Sequence, residues 1–253
     1  MIILNQRDVQ MSDNWNFYAL LVDDEPASIF VDLGVTKETQ IADFPIMAYL
    51  RVRMNNPRPD GLSSQDEYDS LISLEKDVAE AAEHAGKYLY VGRNTSSGNR
   101  DFYFYTQNES IENFLEKAMK NWPSYEYQTG CRPDNEWSTY WRFLYPSPED
   151  FQRIGNRDVV DRLLEQGDRI DEPRTIDHFA VFGSREARNI FVKHLAARGY
   201  AIIGEADATN GEFQVTFDRI DRPDQIDDVT MDLFRAARDS GGEYDGWGCT
   251  IVN

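Results

Sequence analysis

Residues 88–106 read YLYVGRNTSSGNRDFYFYT, and the fold predicted for the first half of the chain rests on their pattern. Aromatic and other apolar residues fill Tyr88–Asn94 and Phe102–Thr106, which is typical of strands. The Ser-Ser-Gly-Asn sequence at 96–99 has the composition of a tight turn. The stretch therefore predicts two antiparallel strands that follow each other directly, without a helix between them.

An amphipathic helix is predicted on each side of this hairpin. The first helix begins at Ser64, which would form a capping box with Glu67, and the second ends at Pro123. Their buried faces consist of apolar residues at helical spacing: Leu71, Leu74, Val78, Ala81, Ala82 and Ala85, then Ile111, Phe114, Leu115, Ala118 and Met119. With strands at Ile46–Met54 and Tyr125–Gly130, the order β-α-β-β-α-β predicts a ferredoxin-like fold, in which both helices cover one face of an antiparallel sheet.

Three further strands are predicted around this unit. Trp15–Leu21 and Ala27–Val35 flank an Asp-Glu-Pro turn at 24–26 and would form an opening hairpin. Ser138–Leu144 is predicted to be a closing strand.

The same order of elements recurs after a Pro-Ser-Pro boundary at 146–148. A connecting helix that carries Val159 and Leu163 ends at Gly167. The later strands are expected at Phe179–Phe182, Tyr200–Glu205, Phe213–Phe217 and Tyr244–Val252, with helices beginning at Ser184 and Pro223. The sequence thus predicts an α+β chain of two tandem ferredoxin-like domains, residues 1–146 and 147–253.

The charge balance excludes some partners and favours others. The 253 residues hold 26 Lys and Arg against 45 Asp and Glu, a net charge of −19, and residues 147–253 alone hold 13 basic and 22 acidic side chains. A chain this acidic repels nucleic-acid phosphates and anionic membranes but attracts basic protein segments. No apolar run has the length of a membrane span. Because Cys131 and Cys249 offer no disulfide framework, we expect a cytoplasmic protein.

Motifs of known enzymes are missing from the sequence. The three histidines, His84, His178 and His194, show no metal-ligand spacing, and no GxxxxGK[ST], GxGxxG or GxSxG motif occurs in the context that those motifs require. We therefore expect no catalytic residues, no cofactor and no metal. An uncharacterised enzyme that uses scattered carboxylates remains an alternative.

Acidic residues recur around the start of the last predicted helix: Asp218, Asp221, Asp224, Asp227, Asp228 and Asp232. Such a stripe could hold a hard cation, but the glycine and fixed ligand order of a calcium-binding loop are missing. Aspartates at a helix start more often cap free amides and complement the helix dipole. The stripe also offers a negative surface to a partner.

The aromatic strand Arg100–Tyr105 suggests a second kind of function. RNA-recognition modules place stacking aromatics on the corresponding strand, where Tyr103 and Tyr105 could contact bases. Asp101 occupies the position where those modules carry glycine, and the local charge is negative. Direct RNA binding is therefore kept as the alternative rather than the favoured interpretation.

The end of the chain, Gly241–Gly248 (GGEYDGWG), resembles the terminal signature of the RraB family, the bacterial regulators of ribonuclease E activity. The similarity covers about residues 155–253 and includes Val159–Gly167, Arg174–Phe179 and the Gly199-Tyr200 pair. The same motif also has a purely architectural reading, since Gly241 can end a helix and Asp245-Gly246 permits a bulge. Tyr244 and Trp247 would then point to opposite faces, which would leave one of them exposed.

Residues 10–146 look like a second bacterial family, of unknown function, that often precedes RraB-like modules. The similarity rests on four short motifs: Trp15–Tyr18, Arg51–Arg53, Leu89–Gly92 and Phe102–Tyr105. No activity accompanies this resemblance.

The RraB resemblance implies a non-enzymatic regulator that binds ribonuclease E and inhibits RNA processing. Its partner would be a basic segment of the nuclease, which an acidic surface attracts. The expected contact residues are Asp224, Asp227, Asp228, Tyr244, Asp245 and Trp247. Trp247 would act either as a core residue or as an exposed anchor.

Overall fold

The structure is a computed structural model that describes residues 12, 14–35, 43–85, 88–107, 110–207 and 211–253, without the side chains of residues 83–85. It is an α+β chain with two antiparallel sheets, and in this respect the sequence-based prediction is confirmed. The chain divides into two compact units between Pro146 and Ser147. Within the described ranges, none of the helices is both long and apolar enough to cross a membrane.

The N-terminal unit contains one six-stranded sheet. Its strands are β1 Trp15–Val22, β2 Glu25–Asp32, β3 Ile46–Arg53, β4 Tyr88–Ser96, β5 Asn99–Thr106 and β6 Tyr127–Pro133. They lie in the order β1-β2-β4-β5-β3-β6, and all neighbours are antiparallel. The predicted hairpin of residues 88–106 is therefore the β4–β5 pair. β6 begins and ends later than the predicted strand Tyr125–Gly130.

Helices α1, Gln65–Ala85, and α2, Ile111–Met119, share one core with this sheet. Leu71, Leu74 and Val78 of α1 are buried in the same cluster as Ile111, Leu115 and Met119 of α2. The 3.6-residue spacing placed these side chains on one face of each helix, as the sequence predicts. Phe102 and Phe104 of β5 complete the core from the sheet.

The predicted capping box at the start of α1 is wrong. The Glu67 carboxylate accepts hydrogen bonds from the amides of Asn55, at 2.8 Å, and Asn56, at 2.7 Å. Ser64 Oγ has no hydrogen-bond partner among the described residues. Because Glu67 is buried, its charge requires close donors, and the preceding loop supplies two amides.

The predicted strand Ser138–Leu144 is helical instead and ends in a π-helical turn, Tyr140–Leu144. The Asp134 carboxylate caps the segment by accepting hydrogen bonds from the amides of Ser138, at 2.7 Å, and Thr139, at 2.9 Å. Trp137, Tyr140 and Leu144 are fully buried at helical spacing. Helical packing of these large residues therefore prevails over the β-propensity of their aromatic rings.

In its described residues, 147–207 and 211–253, the C-terminal unit contains a four-stranded sheet and three α-helices. Its elements are α3 Pro148–Glu165, β7 Arg174–Phe182, α4 Arg185–Ala197, β8 Ala201–Asp207, β9 Phe213–Asp221, a 3-10 turn Pro223–Gln225, α5 Ile226–Asp239 and β10 Gly242–Cys249. The strand order is β10-β7-β9-β8. Ser184 caps α4 as predicted, since its side chain accepts a hydrogen bond from the amide of Ala187.

Helix α3 is longer than predicted and is part of the C-terminal core. It begins at Pro148, directly after Ser147, which forms a capping box with Asp150. Leu163 near its end packs in a buried cluster with Ile176, Ile226 and Trp247. The helix therefore covers part of the sheet rather than only connecting two units.

Candidate partner-binding groove

Helix α3 and strand β10 line a groove of about 320 Å³ in the C-terminal unit. Its described lining residues are Phe151, Gln152, Gly155, Asn156 and Val159 of α3, with Tyr244, Asp245, Gly246 and Trp247 of β10. Three of the six predicted contact residues thus share one concave surface, which we call the α3–β10 groove.

A β-bulge determines how β10 presents its side chains. Tyr244 pairs with Ala180 and Gly246 pairs with Phe179, so Asp245 is an extra residue on β10. Gly246 adopts φ +119°, a conformation that favours glycine. The extra residue changes the alternation, and Tyr244 and Trp247 both become buried. The expectation that they point to opposite faces is therefore wrong, although the bulge itself was anticipated from Asp245-Gly246.

The side-chain amide of Asn156 forms hydrogen bonds that connect the elements around the groove. Its Nδ2 donates to Asp227 Oδ1 and to Thr230 Oγ1, both at 2.7 Å, and its Oδ1 accepts a hydrogen bond from Trp247 Nε1 at 3.0 Å. Asn156 is only 1% exposed. These bonds join α3, α5 and β10. Trp247 is consequently a core residue with a satisfied indole N–H, not an exposed anchor.

Asn156 was not among the predicted contact residues, although the sequence holds a signal for it. Asn156 precedes Val159 and Leu163 at helical spacing, so it is a polar residue on the apolar face of α3. A polar side chain at such a position must find buried hydrogen-bond partners.

Tyr244 is fixed by a hydrogen bond between its hydroxyl and His178 Nδ1, 2.7 Å apart. His178 is fully buried and stacks on Phe217. Burial lowers the pKa of His178 to about 4, so the imidazole is neutral at neutral pH. Burial also raises the pKa of Tyr244. This pair holds β10 on β7, which is a structural role.

The predicted acidic contact residues differ in the hydrogen bonds and ion pairs that they form within the fold. Asp224 forms a two-pronged ion pair with Arg222, with distances of 3.0 and 2.5 Å, and Asp227 is bonded to Asn156. Asp228 and Asp245 are exposed, and neither forms a hydrogen bond or ion pair with a described residue. Tyr244, Asp245 and Trp247 line the groove, and Asp227 is linked to it through Asn156, whereas Asp224 lies in the 3-10 turn before α5 and Asp228 lies in the first turn of α5. Within the described part of the chain, no three His, Cys, Asp or Glu side chains cluster to hold a metal ion.

Comparison with known families identifies both parts of the chain. The family model described as "Family of unknown function (DUF695)" matches residues 13–145, more than half of the chain. The chain belongs to the DUF695 family. The model described as "Regulator of ribonuclease activity B" matches residues 153–249. Both resemblances noted in the sequence are thereby confirmed, and the α3–β10 groove lies in the RraB-matching region rather than in the DUF695 region.

Comparison with solved structures found 26 matching chains. One is an unknown protein from Galdieria sulphuraria, with 11% identity and a TM-score of 0.24, which covers 83% of this chain and 99% of its own length. Another is a putative glycine cleavage system transcriptional repressor, with 8% identity and a TM-score of 0.23, covering 81% of this chain and 98% of its own. No curated protein matches the chain.

The aromatic strand of the DUF695 region offers no open platform for stacking bases. Phe102 and Phe104 are buried in the core beneath α1 and α2. On the other side, Tyr105 stacks on Trp137 with ring centroids 3.8 Å apart, and Tyr103 packs against Phe143. The helical segment that replaces the predicted strand at 138–144 thus covers the tyrosines that the RNA-binding alternative requires.

Proposed function

We propose that this chain is a cytoplasmic, non-enzymatic regulatory protein whose C-terminal unit binds a basic segment of ribonuclease E, or of a related RNA-processing partner, and inhibits it. The match of residues 153–249 to the family of regulators of ribonuclease activity carries the proposal. The proposed contact residues are Asp224, Asp227, Asp228, Tyr244, Asp245 and Trp247. The free thiols of Cys131 and Cys249 support the proposed location, because reducing compartments preserve thiols.

The chemistry of the α3–β10 groove supports a basic occupant. Phe151 is 38% exposed on the α3 side, and the exposed Asp245 lies on the β10 side. A Lys or Arg side chain combines an aliphatic stem, which can cover an aromatic ring, with a cationic head that a carboxylate attracts. The negative charge of the unit would also speed the encounter with such a segment.

We also propose that each unit is a ferredoxin-like domain. The strand orders β4-β5-β3-β6 and β10-β7-β9-β8 support this assignment, because each places the first strand of its β-α-β-β-α-β series between the third and the fourth. The proposed domains are residues 1–146 and 147–253.

The binding proposal predicts a local charge effect that titration calorimetry and stopped-flow kinetics can measure on the full chain. Binding of a basic segment of ribonuclease E should weaken as salt rises, since exposed charges are screened. The double variant Asp228→Asn with Asp245→Asn should reduce the association rate several-fold. These carboxylates have no partner within the described fold, so we expect the melting temperature to change little.

A matched variant controls for overall charge. Glu165→Gln with Glu186→Gln removes the same two charges from exposed positions that do not line the groove. It should retain most of the association rate. Equal losses in the two double variants would contradict a local role for the proposed contact residues, and the absence of binding by the unmodified chain at low salt would contradict the regulatory proposal itself.

A further inference from the structure

A second concave site lies in the N-terminal unit and plays no part in the proposed nuclease regulation. It has a volume of about 580 Å³ and lies between α1, the loop at residues 58–63 and strands β1, β2, β4 and β5. Pockets for small molecules typically have volumes of about 300–1,000 Å³. Its apolar walls are formed by Phe17, Phe30, Leu62, Tyr68 and Ile72. We call it the Arg100 pocket.

Cationic side chains outnumber carboxylates among the described residues that line the Arg100 pocket, although Arg58 and Lys76 pair with carboxylates outside it. Arg58, Lys76, Arg93 and Arg100 line it, and Glu75 is the single carboxylate among the described lining residues. Glu75 accepts hydrogen bonds from Arg93 Nε, at 2.7 Å, and from the Tyr90 hydroxyl, at 2.8 Å. It lies farther from Arg100, with 3.6 Å between Oε2 and Nη1. One carboxylate therefore faces two largely buried guanidinium groups in a chain of net charge −19.

Arg100 and Thr95 line the pocket and carry buried polar atoms that form no hydrogen bond within the described fold. Arg100 is 1% exposed, yet its Nε and Nη1 form no hydrogen bond with any described group, and Nη2 has only a 3.4 Å bond to Ser63 Oγ. Thr95, the neighbour of Arg100 across the sheet, is also buried, and its Oγ1 has no partner among the described residues. Burial and the neighbouring Arg93 lower the pKa of Arg100 to about 10, so the side chain stays protonated at neutral pH.

The arrangement matches the chemistry of oxyanion recognition. A guanidinium group offers parallel N–H donors that fit the two oxygens of a carboxylate or phosphate. A buried charge without a well-placed counter-charge is costly, so proteins keep such groups mainly where they serve a function. Thr95 adds a hydroxyl donor on the adjacent strand.

We propose that the Arg100 pocket binds a small molecule in which a carboxylate or phosphate is attached to an aromatic or other flat apolar body. The oxyanion accepts hydrogen bonds from Arg100 Nε and from the Thr95 hydroxyl. The apolar body packs against Phe17, Phe30 and Tyr68. The structure thus assigns a ligand-binding role to the DUF695 region.

The test uses the full chain with phenyl phosphate and benzoate as probes, and with benzamide as a neutral probe of similar shape. Binding is followed by NMR through the Arg side-chain Nε–H signals and backbone amides. We expect both anions to shift the Arg100 Nε–H signal with saturation, whereas benzamide does not. Arg100→Met should weaken binding by about 10–100-fold, which corresponds to the loss of a charge-assisted hydrogen bond.

The control is Arg53→Met, which removes an exposed arginine of the same unit whose partner, Glu126, is also exposed. It should bind the anions as the unmodified chain does. If Arg100 serves only to hold Glu75, Arg100→Met will lower the melting temperature, and neither anion will shift the Arg100 Nε–H signal of the unmodified chain. That result would overturn the proposal. Equal affinity for benzamide and benzoate would contradict the oxyanion-binding part of the site. Inorganic phosphate is a further probe, which lacks an apolar body, and an affinity equal to that of phenyl phosphate would contradict the apolar part of the site.

Discussion

His178 is fully buried on β7, where its Nδ1 lies 2.7 Å from the hydroxyl of Tyr244 on β10. Burial lowers its pKa from 6.5 to about 4. Between these two values the unfolded chain binds a proton that the folded chain does not, so stability falls as the pH decreases through this window. The full contribution of the neutral imidazole is present above about pH 6.5.

This linkage predicts an acid sensitivity that depends on one side chain. Between pH 7 and pH 5, His178 should account for a loss of about 2 kcal/mol in the free energy of unfolding, since one pKa unit corresponds to about 1.4 kcal/mol. His178→Leu should be less stable at pH 7, because Tyr244 loses its partner, but it should lose less stability on acidification. Urea denaturation at both pH values measures this difference. Equal losses of stability on acidification in His178→Leu and in the unmodified chain would contradict the assignment.

The roles of single residues were predictable where a short sequence motif indicates them. The Gly241–Gly248 motif directed attention to Tyr244, Asp245 and Trp247, which do line one groove. The role of Asn156 was not predictable in the same way, because its partners Asp227, Thr230 and Trp247 lie 71, 74 and 91 residues away along the chain. Only the fold brings these groups together.

At the scale of elements, the bulge in β10 predicts different costs for the same substitution at two glycines. A Cβ atom at Gly246 or at Gly248 would meet no other atom within 4 Å, so neither position is limited by space. Gly246 has φ +119°, whereas Gly248 has no positive φ. Gly246→Ala should therefore cost about 1–3 kcal/mol of stability through backbone strain alone.

Gly248→Ala is the matched control. It should change stability by less than about 1 kcal/mol and could stabilise, because alanine restricts the unfolded chain. Thermal or urea unfolding compares the two variants directly. Similar costs at both positions would show that the conformation of Gly246 does not constrain β10.

Elements with a clear period were predicted well, and those without one were not. The helical faces of α1 and α2 repeat over several turns, so their buried residues were identified from sequence. The segment 137–144 is short and rich in aromatic residues, so propensity alone does not distinguish a strand from a helix there. The stacking of Trp137 on Tyr105 decides between them and is a tertiary contact, whereas the cap that Asp134 provides is local.

At the scale of the whole chain, the two units should fold independently, and the C-terminal unit should require helix α3 in order to fold. A fragment that begins at Ser147 retains α3 and should unfold cooperatively, whereas a fragment that begins at Arg174 should not. The shorter fragment loses Asn156, Leu163 and Asp168. Asp168 forms a buried ion pair of 2.6 Å with Arg174, and breaking such a pair costs about 3–5 kcal/mol.

Circular dichroism with thermal melting of both fragments, and of a fragment that ends at Pro146, tests this expectation. A cooperative transition in the fragment that begins at Arg174 would show that α3 is dispensable. Failure of the fragment that begins at Ser147 to fold would contradict the independence of the two units.

Trp247 also gives the C-terminal unit a natural optical reporter. The other four tryptophans, Trp15, Trp122, Trp137 and Trp141, precede the boundary, so a fragment that begins at Ser147 contains a single indole chromophore. That indole is buried and donates a hydrogen bond to Asn156 within the groove. Its emission wavelength and its quenching by dissolved iodide therefore report on the groove itself, and a bound peptide can be followed without a dye.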